Sequence, residues 1–161
     1  MKNSLFWLIL ITIIWVVTVQ KEKNFLKKHA IQKNIASPLQ VVFARKNLGK
    51  PYIYGKTGPN GFDCSGFVYS MYKQSGVNLP RTSLSQSKVK GSKISRNFLQ
   101  IGDVLFFDTS NKGEVNHSGI YLGEGKFIHA SSGKENAVTI SNLDGWYKDK
   151  FKWGKRINAD K

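Results

Sequence analysis

The sequence predicts an α+β domain, with helices first and a small antiparallel β-sheet after, preceded by one apolar helix. Three observations predict it. Apolar residues recur at helical spacing in the first half of the chain, over 37–49 and 63–76. Short strand-like runs closed by turn glycines fill the second half, from Val104 to Arg156. An almost unbroken apolar stretch, Leu5 to Val19, stands before both. Helical segments followed by a run of strands is the pattern of helices packed on one face of an antiparallel sheet.

Leu5 to Val19 is interrupted only by Thr12 and Thr18. At 15 residues it suits a signal-peptide core or a short membrane anchor, since a span usually takes about 20. No small-x-small cleavage site follows, and Val17-Thr18-Val19 is β-branched throughout. Residues 1–20 are therefore read as a signal anchor or signal peptide, with the uncleaved anchor favoured. Residues 21–36 form a basic tether, and residues 37–158 the folded domain.

Within that domain, Ser37-Pro38 reads as an N-cap with proline at the first helical position, opening a helix through Leu39, Val42 and Phe43 to a stop at Leu48-Gly49. Lys50-Pro51 to Gly61 is turn-rich, with Tyr52 and Tyr54 alternating about Ile53. A second helix starts near Asp63-Cys64 and runs to Gln74, and a short one lies around Ser83–Lys90. Val104-Leu105-Phe106-Phe107 reads as a strand buried on both faces. Further strands follow over Val115–Leu122, Lys126–Ala130 and Val138–Ile140, and Phe151–Arg156 closes the sheet as an edge strand.

Charge narrows the partners. The chain carries 25 Lys+Arg against 10 Asp+Glu, a formal +15. Residues 21–50 hold eight basic side chains against Glu22 alone, whereas residues 51–161 hold 16 against 9. Such a surplus suits a polyanion, either an anionic membrane surface or an anionic wall polymer met by the basic tether. A solvated basic face without a partner explains the charge equally well. No DNA-reading motif occurs and the densest basic stretch follows an apolar segment, so nucleic acid is not expected. By the positive-inside rule, lysines 21, 23, 27, 28 and 33 would hold the domain in the cytoplasm.

The chemistry gathers on one thiol and two imidazoles. Cys64, the only cysteine, stands where a loop meets a helix, in Phe62-Asp63-Cys64-Ser65-Gly66-Phe67. A first-turn position sets sulfur beside unpaired N–H groups and the positive end of the helix dipole, and a nearby histidine can take the thiol proton. Asp63 suits the cap, and the small Ser65-Gly66 pair leaves room for a substrate backbone. His117 and His129 are 12 apart and flank a turn at Gly123-Glu124-Gly125. An even separation puts both on one face of a bulge-free hairpin, and a turn centred on residue 124 sets His129 opposite Gly119, diagonal to His117. Cys64 as nucleophile, His117 as base and His129 as the group orienting His117 then make a triad. Taken singly, a lone cysteine is more often a small buried hydrophobe. A metal site is not expected: the paired close ligands of structural zinc are missing, and Glu124 and Asp144 sit at no telling spacing.

Lys50-Pro51-Tyr52-Ile53-Tyr54-Gly55 followed by Gly61-Phe62-Asp63-Cys64-Ser65-Gly66-Phe67-Val68 resembles the nucleophile region of the NlpC/P60 cysteine peptidases. Leu79-Pro80-Arg81-Thr82-Ser83, Ile101 to Phe107, His117 to Gly123 and Phe127-Ile128-His129-Ala130 resemble the family's later blocks, in order, over roughly 37–157. The resemblance implies a papain-like fold and thiol hydrolysis of amide bonds in peptidoglycan stem peptides or their crosslinks, without cofactor or metal. It implies Cys64, His117 and His129 as the catalytic residues, and Tyr52, Asp63 and Ser65 as substrate-binding, with Tyr52 near the developing oxyanion. Lys56 stands where the family has the second of two glycines, and Ser118 where a small apolar residue is usual. An envelope enzyme outside the cytoplasmic membrane, anchored or secreted, is the implied setting. The competing readings are a catalytically silent peptidoglycan-binding module and a thiol amidase or acyltransferase with another substrate.

Overall fold

The computed structural model describes residues 12–24 and 38–157. The chain divides between Ala36 and Ser37 into two units. In the first, residues 12–24 are helical, and Thr18 returns its hydroxyl proton to the Ile14 carbonyl at 2.7 Å, which keeps this polar side chain within the helix. Among the described residues no helix is long and apolar enough to cross a membrane. The anchor expected over 1–20 is thus not present there as a spanning helix. Residues 1–11 and most of the tether lie outside the described residues.

In the second unit, α1 spans Leu39–Arg45, α2 Cys64–Gln74 and α3 Ser83–Ser87, followed by a 3₁₀ turn at Arg96–Phe98. Five strands complete it: β1 Val104–Phe107, β2 His117–Gly123, β3 Lys126–Ala130, β4 Val138–Asn142 and β5 Phe151–Lys155. They form one antiparallel sheet in the order β4-β3-β2-β1-β5, so the closing strand is an edge, as expected.

Two boundaries differ from expectation. Pro38 is not the first helical residue. It is extended (φ −52°, ψ 144°) and offers its carbonyl to the amides of Val41 and Val42. Ser37 lies outside the described residues. The helix ends at Arg45 rather than Leu48, and turns carry the chain to Gly49, whose φ of +79° reverses it at little cost for a residue without Cβ.

The sheet separates two apolar layers. On one face Phe67, Val68, Met71 and Tyr72 of α2 pack with Val104, Phe106, Ile120, Leu122 and Ile128. On the other, Leu105, Phe107, Phe127 and Leu143 gather with Tyr121, Tyr147 and Phe151. Alternation along each strand sends neighbours to opposite layers, so β1 is buried at all four positions. Each such side chain contributes about 1.5–3 kcal/mol of transfer free energy.

The β2–β3 hairpin departs from expectation: an even separation shares a face only when the turn is centred on a residue, and this turn is centred between Glu124 and Gly125. At the turn Gly123 pairs with Lys126, and Glu124 and Gly125 both take positive φ (52° and 70°), the pattern of a two-residue hairpin loop. Carried along the strands, that register would set His129 opposite Ile120 and on the other face from His117. A one-residue irregularity between Tyr121 and Gly123 shifts it, so that Tyr121 meets Phe127 and Ile120 meets Ile128. Continuing this register puts Gly119 opposite His129. The bulge therefore creates the shared face that a regular hairpin with this turn would deny.

Candidate active site

Cys64 is the first residue of α2 and is half-buried. The loop before it is tied down by Asp63, whose carboxylate accepts the Gly66 amide at 2.6 Å and the Gly55 amide at 2.9 Å. Arg81 grips both carboxylate oxygens, at 2.9 and 2.5 Å, and also donates to Ser65 Oγ at 3.0 Å. Asp63 is buried, and burial alone would raise its pKa. The Arg81 guanidinium and the two amides outweigh that and hold the carboxyl below its ordinary value.

Gly66 has a structural reason for lacking a side chain. A Cβ there would stand 2.2 Å from the Lys56 carbonyl oxygen, which accepts the Asp63 amide at 3.0 Å. The close approach that the small Ser65-Gly66 pair permits is made by the protein's own loop, where the sequence suggested a substrate backbone.

The sulfur hydrogen-bonds with Ser83 Oγ at 3.7 Å and with the Asn116 carbonyl at 3.9 Å. The amides of Ser65 and Ser118 also act on it, both favouring the thiolate. Cys64 thus sits against the backbone on either side of His117, without an imidazole among its hydrogen-bond partners in the described residues. Burial is the largest influence and pushes the thiol above its ordinary pKa.

His117 Nε2 and His129 Nδ1 are 2.8 Å apart, and His129 Nε2 lies 3.0 Å from Ser141 Oγ. His117 Nδ1 has no hydrogen-bond partner among the described residues. If Ser141 accepts from His129 Nε2–H, then His129 Nδ1 accepts from His117 Nε2–H and the His117 Nδ1 lone pair is left for a proton. Burial lowers the His117 pKa to about 4, and it lowers that of His129 well below the ordinary value, helped by the neighbouring imidazole.

Tyr147 encloses the histidine pair. Its ring stacks with His117 (centroids 6.0 Å apart, planes at 24°) and meets His129 edge-on at 5.3 Å. Its hydroxyl bonds with Ser131, and burial raises its pKa to about 12. Tyr52 is half-buried and pairs with Phe62, two residues before Cys64. Burial first, then the charges of Cys64 and Asp63, raise its pKa. Asp63 and Ser65 are both buried and joined through Arg81, which is itself partly exposed. Arg81, Ser141 and Tyr147 were not singled out from the sequence as site residues. Arg81 carried a signal, since it stands in a family block. Ser141 and Tyr147 carried none, because the β4 register and the packing of the β4–β5 connection bring them in. No group of three or more His, Cys, Asp or Glu that could hold a metal ion occurs among the described residues.

Residues 49–157 match the NlpC/P60 family. The chain belongs to that family. It is 43% identical over 102 residues to a probable endopeptidase p60 of Listeria seeligeri, covering 63% of this chain and 18% of that protein. It is 39% identical over 118 residues to a gamma-DL-glutamyl hydrolase of Bacillus subtilis strain 168, covering 71% of this chain and 28% of that one. The chain thus spans less than a third of the length of either relative. An NlpC/P60 protein of known crystal structure from Bacillus cereus superposes with a TM-score of 0.68 at 35% identity, over 76% of this chain and 40% of that one. The α+β expectation with an antiparallel sheet holds, as does the family.

Proposed function

We propose that this NlpC/P60 chain is a cell-envelope cysteine endopeptidase that hydrolyses amide bonds of peptidoglycan stem peptides or crosslinks. Cys64 is the nucleophile, His117 the base and His129 the group that orients it. The observation that carries the reading is the seating of a helix-N-terminal thiol between residues 116 and 118, with His117 bonded through Nε2 to His129.

In the reaction the thiol proton passes to His117 Nδ1 as sulfur attacks the scissile carbonyl carbon. Burial disfavours a charge on either group separately, but the transfer forms both charges together as a pair. The oxyanion meets the Cys64 amide, which has no intrahelical acceptor, and the Tyr52 hydroxyl. Such a donor is worth about 3 kcal/mol of transition-state stabilisation. His117 returns the proton to the leaving amine, and water then hydrolyses the thioester. Tyr52, Asp63 and Ser65 form the substrate side of the nucleophile, the last two acting through the partly exposed Arg81. The relatives' names, endopeptidase and gamma-DL-glutamyl hydrolase, support hydrolysis of amide bonds.

Residues 1–20 are proposed to direct or anchor the chain, residues 21–36 to rest on anionic lipid or wall polymer, and residues 37–158 to act outside the cytoplasmic membrane. The test is digestion of purified peptidoglycan by the full chain beside Cys64→Ala, with muropeptides read by mass spectrometry. New fragments from the parent alone are expected. A folded parent that releases none would overturn the reading.

A further inference from the structure

Behind the thiol runs a buried chain of polar side chains whose direction is fixed by its far end. Gln86 is fully buried, and its Nε2 donates to the Ser65 carbonyl at 3.0 Å and the Pro80 carbonyl at 2.9 Å. Reversing the amide would set oxygen against two carbonyl oxygens, so Oε1 faces the other way and must accept. Ser118 Oγ, also fully buried, lies 3.2 Å from Oε1 and donates to it. A hydroxyl has one proton. With that proton spent on Gln86, Ser118 can only accept from Ser83, whose Oγ is 3.0 Å away. Ser83 has then spent its own proton, and what it turns to Cys64 Sγ at 3.7 Å is a lone pair.

We propose that Gln86, Ser118 and Ser83 form a one-way hydrogen-bond chain that presents an acceptor to Cys64 and holds the resting nucleophile as a thiol. The Asn116 carbonyl, at 3.9 Å, is a second acceptor for the same proton. A thiolate would face two oxygen lone pairs on this side, so ionisation waits for a proton acceptor that stabilises the product charge. The chain thus withholds the reactive sulfur form until His117 takes the proton during attack. Ser83 and Ser118 are positioning residues for the nucleophile rather than catalytic ones.

The other titratable groups acting on the thiol are Asp63 from its own helix cap, Arg81 and Tyr52 from the neighbouring loops and Tyr147 from the β4–β5 connection; His117 stands in β2 between the two residues whose backbone the sulfur meets. Ser118→Ala changes none of these, nor the Ser118 amide. It removes the donor to Gln86 Oε1 and, on the side of the thiol, the acceptor for the Ser83 proton, which is then released to turn toward sulfur and donate to a thiolate. Burial also raises the thiol pKa, whereas a Ser83 hydroxyl free to donate to sulfur would lower it; the Gln86–Ser118 link takes that donation away, and Ser118→Ala restores it.

The inference rests on the reading of Cys64 as nucleophile for its consequence, yet its test is read on the thiol alone. Failure of the peptidoglycan digest and failure here are therefore distinguishable. The pH dependence of iodoacetamide alkylation is measured on the full chain and on Ser118→Ala, Ser83→Ala and the double variant. Ser118→Ala is expected to alkylate roughly tenfold faster at neutral pH, the effect of about one unit of thiol pKa. Ser83→Ala is expected to show no such gain, and the double variant to behave like Ser83→Ala. An unchanged profile in Ser118→Ala, or acceleration that survives in the double variant, would overturn the proposal. If Ser118→Ala fails to fold, the S–H stretching band of the parent decides, with Cys64→Ala as blank. A band at neutral pH that moves on Ser83→Ala supports the chain, whereas no band, or one indifferent to Ser83, sinks it.

Discussion

His117 shows how one physical cause bears on both a proposed role and pH behaviour. His117 is half-buried; enclosed by Tyr147 and His129, its imidazole is shielded enough from water that its pKa falls to about 4 from an ordinary 6.5. The neutral imidazole is the form that can take the thiol proton. The acid limb of kcat/KM on peptidoglycan fragments is therefore expected near pH 4 rather than 6.5, with activity retained at pH 5.5. The same shift enters stability. Between about pH 6.5 and 4 the unfolded chain binds the proton and the folded one does not, so this contribution is complete above 6.5 and lost as pH falls toward 4. Thermal unfolding followed by circular dichroism should show Tm falling across that window, and less steeply in His117→Gln. A parent Tm that is flat from pH 7 to 4.5 would contradict the burial of this imidazole.

At this scale the three catalytic candidates were legible because each is a scarce residue type at the edge of an apolar run. Ser83 and Gln86 were not, since serine and glutamine are common and their meaning comes from one carbonyl pair that orients an amide. Ser118 was visible only as a departure from the family pattern. Asp63 was legible as a cap. That Arg81 occupies its carboxylate depends on how the 76–82 connection returns over the helix start.

Among elements, the helix that begins at Cys64 and the histidine hairpin owe their geometry to different kinds of signal. The limits of α2 followed from Asp63 at its start and Ser75-Gly76 at its end, both local chemistry. The hairpin turn was also local, but the bulge between Tyr121 and Gly123 was not written in the residue pattern, and it decides the face on which His129 falls. The start of α2 can be tested directly. Gly66→Ala would bring a methyl group to 2.2 Å from the Lys56 carbonyl, a contact that backbone must yield to. We expect a loss of about 1–3 kcal/mol, as for overpacking of a filled site, together with slower alkylation of Cys64 as the helix start moves off its loop. Denaturant unfolding and thiol labelling read the two effects. An unchanged midpoint with wild-type labelling would mean that the 55–57 loop is not fixed against the helix.

Over the whole molecule, charge is distributed by segment rather than by fold. Residues 51–161 carry a net of +7 over 111 positions, whereas residues 21–50 carry the same net over 30. A dense cationic segment that runs into the folded domain gives attraction to polyanions without geometric demands, and its strength must fall as salt shortens the Debye length from roughly 10 Å at 0.1 M to 3 Å at 1 M. The full chain is therefore expected to sediment with anionic lipid vesicles or acidic wall polymer at low salt and to be released near 1 M. Replacing lysines 21, 23, 27, 28 and 33 with Gln should abolish most of that retention while leaving hydrolysis of a small soluble stem peptide unchanged, because none of these residues belongs to the proposed site. Retention that survives both salt and the five substitutions would assign binding to the apolar stretch at 5–19 instead, and would make hydrophobic insertion rather than charge the means by which the domain is kept near its substrate.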